Sequence, residues 1–435
     1  MISLCHNINK IIGWLILKNR LEEQKNESKR HILVVSQYFY PEQMRINDIC
    51  QEWIKRGYKV TVLTGIPNYP KGKFYDGYGY QKKRKENWNG IDIIRIPIVP
   101  RGNSSIKLIL NYLSFVFFGF FWNVFNKIKA DIVYIYEVSP MTQALPGVWY
   151  AKKNKIPCIL YITDLWPDNV EYIAGINNKF ILSSIEKMCQ YIYKNSEMIL
   201  TSSRSFIDIL LARKVSSKKL KFWPQYAEDF YRLESKTKNE IPDDNKFNIL
   251  FAGNIGFSQG LDILPDVANI LKQKNIDIRF NILGDGRFKE NLILLVKKSN
   301  TQDMFNFIDK KPPERVSFYI ANSDAVLISL IKNKAFEATI PAKLQSYLAC
   351  GKPVLVSADG EIQEIVKQAN AGLCSGSGDV LGLANIIEKL ISLSQEDREA
   401  MGRNAVKYNQ ENFNKNQRLD EIDSWIKKLI DENLE

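Results

Sequence analysis

Histidine is almost missing from this chain: 435 residues carry only His6 and His31. Neither lies near a candidate acid or nucleophile, which excludes a Ser-His-Asp triad and an H-E-x-x-H zinc helix. Any catalysis therefore rests on carboxylates, lysines, backbone amides or the substrate itself. Cysteine is sparse too. The six (Cys5, Cys50, Cys158, Cys189, Cys350, Cys374) are far apart and form no C-x-x-C pair. That pattern predicts reduced, mostly buried thiols in a cytosol. Also lacking is a G-x-G-x-x-G loop followed by a ribose-binding acid, so nicotinamide chemistry is not expected. No helix carries a dense basic face interleaved with aromatics. Nucleic acid is therefore not the expected partner, despite a net charge of +12. No cofactor and no metal are expected. The one acid pair of metal-binding appearance, Asp243-Asp244, sits in a polar, proline-bounded loop and reads as solvated.

What is present is an ordinary globular composition, 45% hydrophobic, in a chain long enough for two domains. Residues 1–29 read as an extension: Ile8, Ile11, Ile12, Leu15 and Ile16 recur at helical spacing, too few to span a bilayer and without a small-residue cleavage site. An interfacial or surface helix is expected there. Residues 30–222 open with strand HILVVSQYF, then a helix with Ile46, Ile49, Cys50, Trp53 and Ile54 on one face, then strand YKVTVLTG. This βαβ unit implies a parallel sheet. Residues 223–247 are polar and proline-bearing and read as a linker. A second alternating series fills 248–405, and a charged helix closes the chain over 406–435. Two consecutive α/β units imply a cleft between them, the usual place for a ligand.

Residues 106–125, IKLILNYLSFVFFGFFWNVF, stand out inside the first α/β series. A membrane-crossing helix there would cut a sheet in two. Two readings stay open: a monotopic helix dipping into an anionic leaflet, flanked by Arg101, Lys107, Lys127 and Lys129, or a buried core helix. The first gives the basic charge a partner, the cytoplasmic face of the inner membrane.

Two segments carry the chemistry. In NILFAGNIGFSQGLDIL an apolar strand runs into a loop with Gly253, Gly256 and Gly260, followed by a helical pattern. Strand, glycine loop and helix start together suit a phosphate, because N–H groups approach the anion closely. In FEATIPAKLQSYLACGKPVLVS, Glu337 precedes a helix begun near Pro341 and ended at Gly351, with Lys343 and Gln345 in its first turn. An anion there meets a second helix N-terminus and a lysine. The plain alternatives are a ligand-free strand-to-helix turn and a solvated lysine at a buried corner.

GNIGFSQGLD, ILGDGRFKENL, FIDKKPPERVSFYIANSDAVLISL and IPAKLQSYLACGKPVLVS, in this order and spacing, resemble the nucleotide-sugar domain of a family 4 glycosyltransferase. SQYFYPEQMRINDICQEWIKRGYKVTVLTGIPNYPKG, ENWNGIDIIRIPIVPRG and YITDLWPD resemble its front half. The similarity spans about residues 31–425 and is greatest to a surface-polysaccharide subgroup that includes the L-fucosamine transferase of O-antigen synthesis. The resemblance implies an α/β GT-B fold: two Rossmann-like, doubly wound parallel sheets facing a cleft, with a C-terminal helix. It implies a retaining transferase, without metal, that moves a sugar from a UDP-sugar or similar donor to a lipid-linked saccharide acceptor. The location implied is cytoplasmic, peripheral to the inner membrane.

Residue by residue, the resemblance places Gly253, Asn254, Gly256, Gln259 and Gly260 against the diphosphate, with Gly284 of ILGDGR in the same donor site. Many relatives carry an arginine and a lysine where this chain has Asn254 and Gln259, so two charges are missing and Lys343 is left to compensate. Ile308 opens the segment 308–315 that resembles the base-holding part. The family's two glutamates lie eight positions apart. Counting forward from Glu337 the partner is Gln345; counting back from CGKP it is Ser346, with Ala338 as the first. Either way one glutamate is missing. Gln345 still offers hydrogen bonds to ribose hydroxyls. Many relatives place a histidine where this chain has Thr163, leaving Asp164 as the best carboxylate in the cleft, with Asp168 and Glu171 toward the acceptor. The backbone from Tyr40 to Arg45 is expected at the donor phosphates. The missing charges motivate a second reading, a non-catalytic binding or scaffold subunit of a polysaccharide assembly complex.

Overall fold

The computed structural model describes residues 29–435 apart from Asn103 and Ala174. The helix expected in the extension, with His6 and Cys5, lies outside the described residues. The chain resolves into two compact units. One comprises Met1–Tyr136, Thr142–Ile159 and Lys428–Glu435; the other comprises Glu137–Met141 and Leu160–Lys427.

The first series of strands is β1 (His31–Val35), β2 (Lys59–Gly65), β3 (Lys85–Trp88), β4 (Ile91–Ile96), β5 (Ile132–Glu137), β6 (Cys158–Ile162), β7 (Met198–Thr201) and β8 (Leu220–Phe222). They form one sheet in the order β3-β4-β2-β1-β5-β6-β7-β8. β1 pairs in parallel with β2 and β5, while the edge strand β3 runs antiparallel to β4. β1 and β5 are buried along their whole length, as near-continuous apolar strands of a covered parallel sheet should be. The helix Arg45–Lys55 buries Ile46, Ile49, Cys50 and Trp53, a stripe at helical spacing.

The second sheet comprises β9 (Phe247–Asn254), β10 (Ile278–Asp285), β11 (Phe305–Ile308), β12 (Ala325–Ser329), β13 (Val354–Ser357) and β14 (Gly372–Ser375), in the order β11-β10-β9-β12-β13-β14. All its ladders are parallel. Alternation along β9 separates two cores. Leu250 and Ala252 join Val326, Ile328, Leu344 and Tyr347 on one face, and Ile249 and Phe251 join Leu264, Val267 and Ile282 on the other. Both faces are thus covered by helices, the doubly wound arrangement.

Three local expectations change. The closing helix is two helices, Gln395–Asn412 and Lys415–Leu434. The break falls at Phe413, which is buried, and Asn414 accepts the Gln417 N–H at 3.0 Å to start the second. Asp244 is not solvated on its own; both its oxygens are held by Arg279 at 2.9 and 2.7 Å. The apolar segment is a helix, Ser105–Phe125, but not a core helix. It buries only Asn111, Phe115, Gly119 and Asn123, and exposes Ile106, Leu113, Phe117, Phe120 and Phe125. The helix is built inside out. Asn111 bonds Gln37 (2.7 Å) and the Val99 carbonyl (2.6 Å). Gly119 lies where a Cβ would come within 2.4 Å of the Pro146 ring. Among the described residues it is the one helix long and apolar enough to cross a membrane by length and composition.

Candidate functional site

β9 and β10 end side by side, with Gly253 opposite Gly284. Both glycines have positive φ (147° and 148°), and a Cβ on Gly284 would stand 1.9 Å from the Gly253 carbonyl oxygen. The strand ends can therefore close up only without side chains. The next loop is laced to the same corner: Ile255 N–H donates to Asp285 O at 2.8 Å and Phe288 N–H donates to Ile255 O at 3.0 Å. Gly286, absent from the residues expected at the donor site, packs where a Cβ would be 2.2 Å from Ile255 O. The G-D-G spacing of ILGDGR was the available signal.

The glycine loop does not lead straight into an α-helix. Phe257–Gln259 and Leu261–Ile263 wind as short 3-10 turns, and the helix begins at Leu264. Gly260 takes φ 57° and its carbonyl accepts the Ser329 hydroxyl at 3.3 Å. Asn254 is exposed at the tip, with its amide nitrogen beside Gly256.

Lys343 reaches this loop from the helix Ala342–Ala349, whose cap position is Pro341. That helix is pinned to β9 by Tyr347, whose hydroxyl accepts the Ala252 N–H at 2.8 Å. The Lys343 ammonium donates to Gln259 Oε1 at 2.6 Å and stands 4.0 Å from the centre of the Phe251 ring. A Cβ on Gly253 would lie 3.6 Å from it. Burial without a carboxylate pushes Lys343 down to about 7. Gly253, Gln259, Gly260, Gly284 and Lys343 thus form one cluster of glycine backbone and a cation with no acid among them; Lys289, paired with Asp309 at 2.8 Å, reaches the Gly284 carbonyl from the side at 3.4 Å.

Gln345 does not join it. The side chain is buried, and its terminal amide is turned onto the Pro341 and Ala342 carbonyl oxygens, which assigns its nitrogen to that side. Ser346 is buried in the same helix. Ile308 is buried at the end of β11, opposite Leu283 of β10. Glu337 ends the short helix Lys334–Glu337, half-buried, with Gly360 (φ 88°) pressed against its carbonyl. That helix packs on the turn Asn169–Ile173.

Asp164 follows β6 and accepts the Ser139 N–H at 2.8 Å. Thr163 serves the sheet: its hydroxyl and N–H both donate to the Glu137 carbonyl, at 2.6 and 3.0 Å. Asp168 is ion-paired to Arg213. Glu137, not picked out from the sequence, is fully buried at the end of β5, with the backbone N–H groups of Asp164 and Thr163 facing its carboxylate. Burial first, and then the charge of Asp164, hold its carboxyl well above the usual carboxylate range. In the other unit, Tyr40 stacks on Trp88 at 4.3 Å and its carbonyl accepts from Arg95 at 2.8 Å.

Residues 43–225 match the Glycosyltransferase Family 4 model, and residues 232–408 match the Glycosyl transferases group 1 model. The chain thus carries a glycosyltransferase family 4 domain followed by a glycosyl transferases group 1 domain. It is 25% identical over 324 residues to the putative colanic acid biosynthesis glycosyl transferase WcaI of Escherichia coli K12, covering 71% of this chain and 77% of that one. Its fold matches sucrose-phosphate synthase from Thermosynechococcus elongatus, with TM-score 0.73 at 15% identity, covering 92% of this chain and 99% of that one. Anabaena Alr3699/HepE in complex with UDP and glucose matches at TM-score 0.66 and 14% identity, covering 91% and 99%. The glycosyltransferase has the GT-B fold. The relative WcaI is described for colanic acid biosynthesis and does not single out the L-fucosamine branch.

Proposed function

We propose that the glycosyltransferase moves a sugar, with retention and without a metal, from a nucleoside diphosphate donor to a lipid-linked saccharide at the cytoplasmic face of the inner membrane. The observation that carries this reading is the acid-free cluster of Lys343, Gln259 and the Gly253–Gly284 strand ends. A diphosphate is the ligand such a cluster suits: N–H groups on glycine backbone approach its oxygens, and a lysine held near neutrality gains its full charge when the anion arrives. UDP is the favoured nucleotide, since a structural neighbour is described with UDP bound. The surface-polysaccharide assignment follows the colanic acid relative. The apolar exposed face of Ser105–Phe125 favours a lipid-borne acceptor.

In the reaction, the bond from the anomeric carbon to the diphosphate oxygen breaks while the acceptor hydroxyl bonds to the same face. The acceptor proton passes to the departing phosphate oxygen, so no histidine is required. Lys343 and the loop amides stabilise the charge that develops on the leaving group. Asp164 and Glu337 are the carboxylates assigned to the donor sugar, Gly256 and Asn254 to the phosphates, and the stretch from Ile308 to the base. The absence of a carboxylate at Gln345 and Ser346 favours the second reading, a nucleotide-sugar-binding scaffold. Thermal shift with UDP, GDP, CDP and NAD, followed by transfer assays with UDP-sugars and a membrane extract, tests both. Stabilisation by UDP with turnover supports the transferase, UDP binding without turnover the scaffold, and no nucleotide binding sinks both.

A further inference from the structure

Arg101 is a half-buried guanidinium with no carboxylate partner among the described residues. Arg95, Arg213, Arg279 and Arg418 are sheltered with a carboxylate (Glu86, Asp168, Asp244 and Glu421), while Arg84 and Arg398 spend their guanidinium groups on backbone carbonyls. Arg101 instead touches phenols. Its Nη1 lies 3.4 Å from the Tyr38 hydroxyl and its guanidinium 5.3 Å from the centre of the Tyr69 ring. Sheltering a cation this way is unfavourable unless an anion completes the site.

The surroundings are built to hold that place. Glu42, buried beneath, accepts the N–H groups of Asn68 and Tyr69 at 2.7 and 2.6 Å. Asn68 in turn accepts the Arg101 N–H at 2.9 Å. Gly102 N–H donates to Gly72 O at 2.8 Å, bringing the loop of Lys71 and Lys73 against Arg101. The Lys107 stem folds over Gly102, where a Cβ would meet its Cδ at 2.4 Å. Lys71, Lys73 and Lys107 are exposed and none has an ion-pair partner among the described residues. Directly beyond stands the apolar helix, with Ile106 71% and Leu113 54% exposed. Cations and a bare apolar face adjoin at one end of one helix.

We propose that Arg101 and Lys107 bind the phosphate or diphosphate linking a lipid tail to its saccharide, with the first turns of Ser105–Phe125 receiving the tail. This rests on the lipid-linked acceptor proposed above and names the group that would be recognised. A guanidinium fork binds phosphate oxygens bidentately. The Tyr38 hydroxyl, whose proton burial retains, adds a donor. A free anion would use the cations and leave the apolar face bare; a lipid phosphate uses both.

The test is co-sedimentation of the full chain with phosphatidylcholine vesicles doped with a long-chain prenyl diphosphate, with the prenol, or with phosphatidylglycerol at equal negative charge. The wild-type chain should bind the prenyl diphosphate vesicles best, and R101Q and K107Q should each lose roughly five-fold of that binding, the scale of one charge near an anionic group. Lys107 is exposed, so K107Q stands if R101Q fails to fold. Equal binding to phosphatidylglycerol and prenyl diphosphate vesicles overturns the proposal in favour of an unspecific membrane contact. Full retention of the preference in K107Q overturns it too. UDP thermal shift on the same samples reads the donor site separately, so loss of the nucleotide reading and loss of this one are distinct outcomes.

Discussion

The Lys343 ammonium donates to Gln259 Oε1 at 2.6 Å across a loop that contains no acid. A neutral amide orients the lysine without neutralising it. Replacing Lys343 by Ala removes the cation of this cluster that has no carboxylate partner among the described residues, and we expect UDP affinity to fall by about ten-fold or more, the weight of a charge-assisted hydrogen bond of ~1.5–3 kcal/mol. K343M, which keeps the stem over Phe251, should lose affinity equally while keeping stability. Titration of UDP by calorimetry or thermal shift decides. Wild-type affinity in K343M would remove the lysine from the phosphate site.

Nucleotide affinity should depend on pH through this residue. Lys343 is held at about 7 when the site is empty, by burial. A bound diphosphate favours the ammonium and raises that value. Above pH 7, binding must therefore take up a proton, and UDP affinity should drop as pH rises from 7 toward 9, by up to ten-fold per unit. The slope should vanish in K343M. A flat profile in the wild-type chain would mean that the ammonium does not meet the anion.

Gly284→Ala should be severely destabilising. Its Cβ would lie 1.9 Å from the Gly253 carbonyl oxygen, and its φ of 148° is unfavourable for an L side chain. Relief requires parting β9 from β10 at the phosphate loop, at a cost of roughly 2–4 kcal/mol. A urea midpoint close to wild type would show that the strand ends part without cost.

Much of this site is written locally. The apolar run of β9, the glycine spacing after it and the lysine two residues beyond Pro341 are readable from the chain, because turn chemistry and helix starts depend on near neighbours. Other features depend on pairing between distant segments. Gln345 sits in the first turn as expected, yet its amide is turned back onto its own helix. Glu137 becomes an enclosed carboxyl only because β5 carries it into the interior near Asp164. The inverted polarity of Ser105–Phe125 did leave a trace. Asn111, Phe115, Gly119 and Asn123 recur every fourth residue, but an apolar stripe is the usual marker of the buried face, and here it is the exposed one.

Glu137 makes stability depend on pH in a direction opposite to that of paired carboxylates. Its folded-state value lies well above the unfolded one, through burial and the Asp164 charge. The folded chain therefore holds the proton more tightly, and this contribution is full below the ordinary glutamate range and lost as pH rises through the raised value. Glu137→Gln keeps the shape and removes the ionisable group. We expect E137Q to melt higher than wild type at pH 8 and to flatten the fall in Tm between pH 5 and pH 8. A lower Tm for E137Q across that window would mean that the backbone N–H groups of Asp164 and Thr163 outweigh the cost of burying the charge.

The exposed phenylalanines of Ser105–Phe125 give the proposed membrane contact its own test. Phe117, Phe120 and Phe121 are 58%, 51% and 43% exposed, so replacing them with serine removes little core packing. The residues that anchor this helix, Asn111, Phe115, Gly119 and Asn123, stay in place. The triple serine variant should keep its Tm and its UDP response. Its binding to vesicles containing phosphatidylglycerol should fall by at least an order of magnitude, because each buried phenylalanine contributes about 1.5–3 kcal/mol on transfer from water. Raising salt should weaken what remains, since the flanking Lys107, Lys127 and Lys129 act through screened charge. If the variant still sediments fully with vesicles at low salt, the aromatic face is not what holds the protein to a bilayer. If the wild-type chain does not sediment at all, the exposed helix needs a protein partner instead.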